Sequence, residues 1–199
     1  VVEGYMDVVA LAQSGFGNAV ATLGTACTAE HVQKLVRFTD AVVFSFDGDA
    51  AGRRAAARAL EASLPHASDT RSFRFLLLPP EHDPDSYVRE LGAEAFEQRV
   101  TAAVPLSRQI ITQAGEGLDF ATAEGRARFL ANVQPLWTAL PEGMLKRQLL
   151  GEIASRAALG ADELAALWRV GGAARGRPTP TPAGRPSGAP GYRPGRPVR

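Results

Sequence analysis

Cysteine is almost absent from this sequence, with Cys27 the only one in 199 residues. A single thiol excludes an internal disulfide and cannot by itself build a structural zinc site, so a reducing cytoplasm is the compartment that fits. Long apolar runs are also missing. None approaches the roughly 18 residues that suggest a membrane helix, which leaves a chain with no membrane role. The three histidines, His31, His66 and His82, show no ligand spacing and read as surface or loop residues, although His82 adjoins Asp83. A targeting segment is lacking too. Because Val1 already belongs to a strand pattern, the sequence reads as a piece of a longer chain cut at its amino end.

Acid is absent from residues 171–199, where six arginines (Arg175, Arg177, Arg185, Arg193, Arg196, Arg199) stand among 14 Gly and Pro residues. Such a stretch buries too little apolar surface to order itself and reads as a disordered linker. The rest of the chain holds 16 basic and 21 acidic residues, a net charge of −5 beneath an overall +1. A basic tail on an acid-bearing body suits a protein that meets polyanions with the help of metal ions, and equally suits a solvated spacer.

What the sequence does have is one good core's worth of length and a repeating strand-then-helix pattern. Val1 to Glu3 precedes an apolar helix from Met6 to Gln13. Asn18 to Leu23 precedes a helix from Ala29 to Phe38 with Thr28 as N-cap, and Ala41 to Phe46 precedes one from Ala50 to Leu64. A fourth strand, Phe73 to Leu78, ends at Pro79-Pro80, and the next helix starts near Pro84. Strands alternating with helices imply a mostly parallel sheet flanked by helices, an α/β fold. After about Ala93 strand signals vanish, and Ala121 to Thr138, Glu142 to Ala158 and Ala161 to Val170 read as helices of a small helical subdomain. The division is residues 1–100, 101–170 and 171–199.

The acids sit where strands give way to loops. Glu3 follows the first strand, Asp47-Gly48-Asp49 the third, and Asp83-Pro84-Asp85 the fourth. Carboxyl ends of parallel strands are the usual ligand edge of an open sheet. Asp47, Asp49, Asp83 and Asp85 suit a pair of divalent ions about 3.5 to 4 Å apart that activates an attacking hydroxyl and stabilises a leaving pyrophosphate. Magnesium keeps several waters, so some of these acids would act through water. Glu3 reads as a ligand or a general acid/base, and Asp7 as either a further ligand or a first-turn helix acid. Each motif also has a plainer reading, since Asp-Gly-Asp is a common turn and Asp-Pro-Asp a common helix start. Arg53, Arg54 and Arg58 either meet phosphates or pair with neighbouring acids, with Arg53 the preferred phosphate-binding residue; Trp137 and Trp168 read as core.

At Glu3-Gly4-Tyr5-Met6-Asp7, Leu23-Gly24-Thr25, Asp47-Gly48-Asp49-x-Ala51-Gly52 and Asp83-Pro84-Asp85 the chain resembles the Toprim domain of bacterial replicative DNA primases of the DnaG type. The resemblance is strong over residues 1 to about 100 and weaker to about 170. It implies a Rossmann-like Toprim fold and synthesis of short RNA primers on single-stranded DNA from ribonucleoside triphosphates. Carried over by position, Glu3 would be the catalytic or metal-binding glutamate. Asp47 and Asp49 would hold Mg²⁺ or Mn²⁺, Asp83 and Asp85 would complete the metal or nucleotide site, and Asp7 matches an acidic position of the first motif. The resemblance further implies a monomer at the replication fork in the bacterial cytoplasm, zinc only in a missing amino-terminal domain, and a replicative helicase bound through a missing carboxy-terminal domain. Two other readings share the acid set. One is another Toprim enzyme, a metal-dependent nuclease or a topoisomerase with Tyr5, Tyr87 or Tyr192 as nucleophile; the other is a non-catalytic recombination module.

Overall fold

The run Ala41–Phe46 is apolar on both faces and forms β1, which pairs in parallel with β2 (Ser72–Leu77), Phe44 opposite Phe75 and Phe46 opposite Leu77. The computed structural model describes residues 1–173. A short β3 (Val104–Pro105) lies antiparallel on the far side of β2. On the other side Val1 and Val2 run along β1, with the Ser45 amide donating to the Val1 carbonyl at 2.8 Å. Val2 in turn bridges in parallel to Ala21. The expected strand from Asn18 to Leu23 is therefore one bridge. Gly15, Gly17 and Gly24 flank it, and its larger apolar residues, Val20 and Leu23, stay exposed.

Helix α1 (Tyr5–Gln13) and helix α2 (Ala29–Leu35) precede the sheet core in sequence. Thr28 caps α2 as read, its hydroxyl accepting from the His31 amide while His31 Nδ1 accepts from the Thr28 amide. The helix stops at Leu35, not Phe38, and leaves Phe38 88% exposed. Helix α3 (Ala50–Ser63) follows β1, and α4 (Pro84–Thr101) follows β2 with a kink at Gly92, φ +85°. Strand signals were expected to vanish beyond Ala93. The two residues of β3 are an exception, too short and too proline-bound to show a period.

Strand parity sorts the core. Val42, Phe44, Phe46, Phe73 and Phe75 face α3, and the Phe44 and Phe75 rings stack with centroids 5.4 Å apart. Leu76 and Leu78 point the other way, onto Leu11 of α1 and Tyr87, Val88 and Phe96 of α4. The remaining helices, α5 (Leu106–Ala114), α6 (Ala123–Thr138), α7 (Met144–Arg156) and α8 (Ala161–Ala173), extend the first of these layers. Ile110, Phe129, Val133, Leu149, Ile153 and Leu164 are fully or almost fully buried and belong to the same apolar cluster as the sheet. Asp69, in the loop before β2, ties the parts together by accepting from the Met144 and Leu145 amides at the start of α7. Trp137 and Trp168 are half-buried with ring centroids 4.8 Å apart, as expected for core residues. The linker read at 171–199 lies outside the described residues from 174 onward, as do its six arginines and Tyr192.

Candidate active site at the carboxyl edge of the sheet

The loops after Val2, β1 and β2 converge because glycine lets them. A Cβ at Gly48 would stand 2.0 Å from the Leu78 carbonyl oxygen, so the Asp-Gly-Asp loop presses directly on the loop carrying Pro79 and Pro80. A Cβ at Gly52 would stand 1.9 Å from the Asp47 carbonyl oxygen, so the first turn of α3 folds back on the same loop. Arg53 completes the clamp, donating from Nη1 to the Gly48 carbonyl at 2.8 Å. The residue preferred by the sequence for phosphate thus spends one donor on holding the acid loop.

Around Asp47 the acids share one electrostatic field. Burial first, then the charges of Glu3, Asp7, Asp83 and Asp49, push its carboxyl from 3.8 up to about 6. Asp7 is buried, and burial likewise raises it, with the Asp83 and Asp85 charges adding repulsion and the Gly4 and Asp85 amides pulling the other way. Asp7 accepts from that Gly4 amide at 3.0 Å, so it is a first-turn helix acid that also faces the site. Glu3 is exposed and makes no side-chain hydrogen bond among the described residues.

Two members are partly committed to their own helices. Asp49 caps α3, its Oδ1 accepting from the Gly52 amide at 2.7 Å. Asp83 caps α4, accepting from the Ser86 amide at 2.7 Å, and this bond holds its carboxyl below the usual range. Each keeps a second oxygen. Asp85 stands further back: it acts on Asp7 rather than Asp47 and is ion-paired with Arg89 one turn on. His82 rests edge-on against the Tyr87 ring. The Tyr87 hydroxyl is spoken for by Arg99 Nε at 3.2 Å, whereas Tyr5 is 66% exposed beside Glu3.

The structure thus brings Glu3, Asp7, Asp47, Asp49 and Asp83 to one edge and sets Asp85 behind them. Among the described residues no three acid, histidine or cysteine side chains close on a single point. The donor chemistry nonetheless fits a hard divalent cation, since carboxylates that raise one another's pKa gain most from a positive charge between them. The sequence reading singled out no role for the stretch Thr22–Cys27 beside Glu3, although Leu23-Gly24-Thr25 was part of the motif evidence.

A mostly parallel sheet with carboxylates on its carboxyl edge and helices on both faces defines a Toprim-like domain, and the Toprim-like family model matches residues 1–88. The chain belongs to the bacterial DNA primases of the DnaG type. The DNA primase of Escherichia coli K12 is 48% identical over 156 residues, which are 78% of this chain and 27% of the relative. That of Pseudomonas aeruginosa is 50% identical over 157 residues, 77% of this chain and 24% of the relative. The chain thus spans about a quarter of the length of the curated relatives it matches. Among solved structures, a DNA primase domain from Pseudomonas aeruginosa superposes with a TM-score of 0.80 at 44% identity, over 84% of this chain and 53% of that one. A DnaG primase catalytic domain bound to single-stranded DNA does so with a TM-score of 0.74 at 46% identity, over 79% and 50%. A second family model, the DnaB-helicase binding domain of primase, matches residues 107–162. That match falls inside the described helices, whereas the sequence reading placed the helicase contact in a missing carboxy-terminal domain to which residues 171–199 would lead.

Proposed function

We propose that this chain carries the catalytic acids of a DNA primase, an enzyme that joins ribonucleoside triphosphates into short RNA primers on single-stranded DNA and releases pyrophosphate. The observation that carries this reading is the common field at Asp47, where four other carboxylates act on one half-buried acid. A scaffold has no physical need for clustered, mutually repelling carboxylates at a ligand edge. Family membership supports primase among the enzymes that share such an edge.

Glu3, Asp47 and Asp49 would hold Mg²⁺ or Mn²⁺, with Asp7 and Asp83 in support and Asp85 acting at a remove. Bound cations of this kind neutralise a triphosphate and favour ionisation of an attacking hydroxyl. Glu3, exposed and without a side-chain hydrogen bond among the described residues, would serve as a cation ligand or accept that hydroxyl's proton. Asp49 and Asp83, anchored by their helix amides, hold their free oxygens still, and Arg53 fixes the loop that presents Asp47. Template and primer need cationic surface, which residues 1–170, of net charge −5, would not supply by themselves. Residues 1–100 would form the catalytic domain and 101–170 a helical subdomain of the polymerase core. The match over residues 107–162 supports a helicase contact within those helices. Replicating DNA in the cytoplasm is the setting this implies, and no helix among the described residues is long and apolar enough to cross a membrane.

The test is primer synthesis on a single-stranded template with labelled ribonucleotides and Mg²⁺ or Mn²⁺, by a polypeptide that joins this chain to the remaining parts of a primase. Short RNA from the native sequence and none from Glu3→Gln is expected. Template cleavage in place of synthesis would move the reading to a Toprim nuclease.

A further inference from the structure

Residues 1–170 are acidic as a whole, yet their cations are not evenly spread. At the edge opposite the acids, where the parallel strands begin, Lys34 and Arg37 at the end of α2 line an open concavity of about 670 Å³ together with His66 and Arg71. His66 closes the single 3₁₀ turn Leu64–His66 after α3, and Arg71 stands one residue before β2. The length of β1, at about 3.3 Å per residue, puts this concavity roughly 20 Å from Asp47.

Most of this charge is uncommitted. Lys34 and Arg37 are exposed, and neither side chain forms an ion pair or hydrogen bond among the described residues. Neither therefore bonds the last carbonyls of α2, the ordinary use of basic residues at a helix end. Arg71 is half-buried and held in place, its Nη1 donating to the His66 carbonyl at 3.3 Å and its Nε lying 3.8 Å from Asp40 Oδ1. Among the described residues Glu30 is the one carboxylate lining the concavity, against three permanent cations. The residue after Arg37 is Phe38, at 88% more exposed than any other large apolar side chain among the described residues. Its amide donates to the Leu35 carbonyl at 2.9 Å, so the turn beneath the ring is fixed. An aromatic face next to free cations suits a strand whose bases stack while its phosphates are neutralised. An acidic protein surface would use the cations and leave the ring in water, and a duplex keeps its base faces to itself.

We propose that Lys34, Arg37, Arg71 and Phe38 bind a single-stranded nucleic acid at the amino edge of the sheet, remote from the acids. The three cations take its phosphates, and Phe38 stacks on a base. Every base has a face, so the contact reads no sequence. It adds one hold on a strand and does not replace the wider cationic surface that template and primer need. The patch is independent of the chemistry assigned to the acid edge.

The experiment is fluorescence anisotropy of a labelled oligothymidylate titrated with the 199-residue chain over a range of salt, with a chelator present so that no divalent cation takes part. Lys34→Gln combined with Arg37→Gln is compared with Arg108→Gln combined with Arg128→Gln, which removes the same charge from exposed positions outside the concavity. The first pair is expected to weaken binding roughly tenfold and to flatten the slope of log K against log salt by about 1.4, at about 0.7 per lost phosphate contact. The second pair should stay close to the native sequence. Phe38→Ala should weaken binding about fivefold or more and leave the salt slope unchanged, because it removes stacking and no charge. Circular dichroism checks that these variants, all of exposed residues, are folded. Equal losses in the two double variants, or no binding by the native chain, would overturn the proposal. So would native affinity in Phe38→Ala, which would make the patch a site for an acidic protein surface. Without divalent cations none of these outcomes touches the reading of the acid edge, which primer synthesis tests separately.

Discussion

Asp47 and Asp83 show how neighbouring carboxylates on one edge are driven in opposite directions. Burial and repulsion raise Asp47 to about 6, while the Ser86 amide lowers Asp83. Between the ordinary carboxylate value and about 6, the folded chain keeps a proton on Asp47 that the unfolded chain has released, so stability falls as pH rises through that window. Asp83 contributes stability that is present above its ordinary pKa and is lost as pH falls through its lower folded value. Asp47→Asn should therefore stabilise the chain at pH 7 by about 1 kcal/mol, after solvent screening is allowed for, raising Tm by ~2–4 °C. Calorimetric scans at pH 7 and pH 5 check this, because the gain should shrink at the lower pH. These directions were not legible in the sequence. Spacing placed Glu3, Asp47, Asp49 and Asp83 at strand ends, but which oxygen turns to a helix amide depends on the caps, and Asp85 was drawn back by Arg89 four residues on.

At the scale of elements, the two acid loops are coupled through backbone contact at Gly48, and each loop is also a helix start. Gly48→Ala must push the Asp-Gly-Asp loop off the Leu78 carbonyl, at a cost of ~1–3 kcal/mol by denaturant unfolding. Asp83→Ala should cost about 1 kcal/mol through the lost cap of α4, whereas Asp83→Asn should keep the cap and lose only the charge. Any defect in catalysis common to both variants would then belong to charge. Strand β1, the cap at Thr28 and the helix start at Pro84 were readable because an unbroken apolar run, a capping residue and a first-turn proline are local signals. The bridge at Ala21 and the two-residue β3 were not, since both are held by partners distant in sequence.

For the whole molecule, the sheet and the later helices share one apolar cluster, although the sequence divided them at about residue 100. Phe129 on α6 is fully buried with its ring 5.2 Å from that of Phe120. Phe129→Ala should cost ~3–5 kcal/mol and lower a single transition that takes sheet and helices together. Two separated transitions in circular dichroism would show that the helical part folds on its own. The sequence reading already packed these helices beside the α/β unit, but helical periodicity says which face is apolar without saying which residues cover it.

Acids from three loops should act together as one cation site. Electron paramagnetic resonance counts the free Mn²⁺ that remains when the chain is added. The native chain should remove Mn²⁺ from solution, Asp47→Asn should abolish that uptake, and Asp85→Asn should leave most of it. Equal uptake by the native chain and Asp47→Asn would contradict the account.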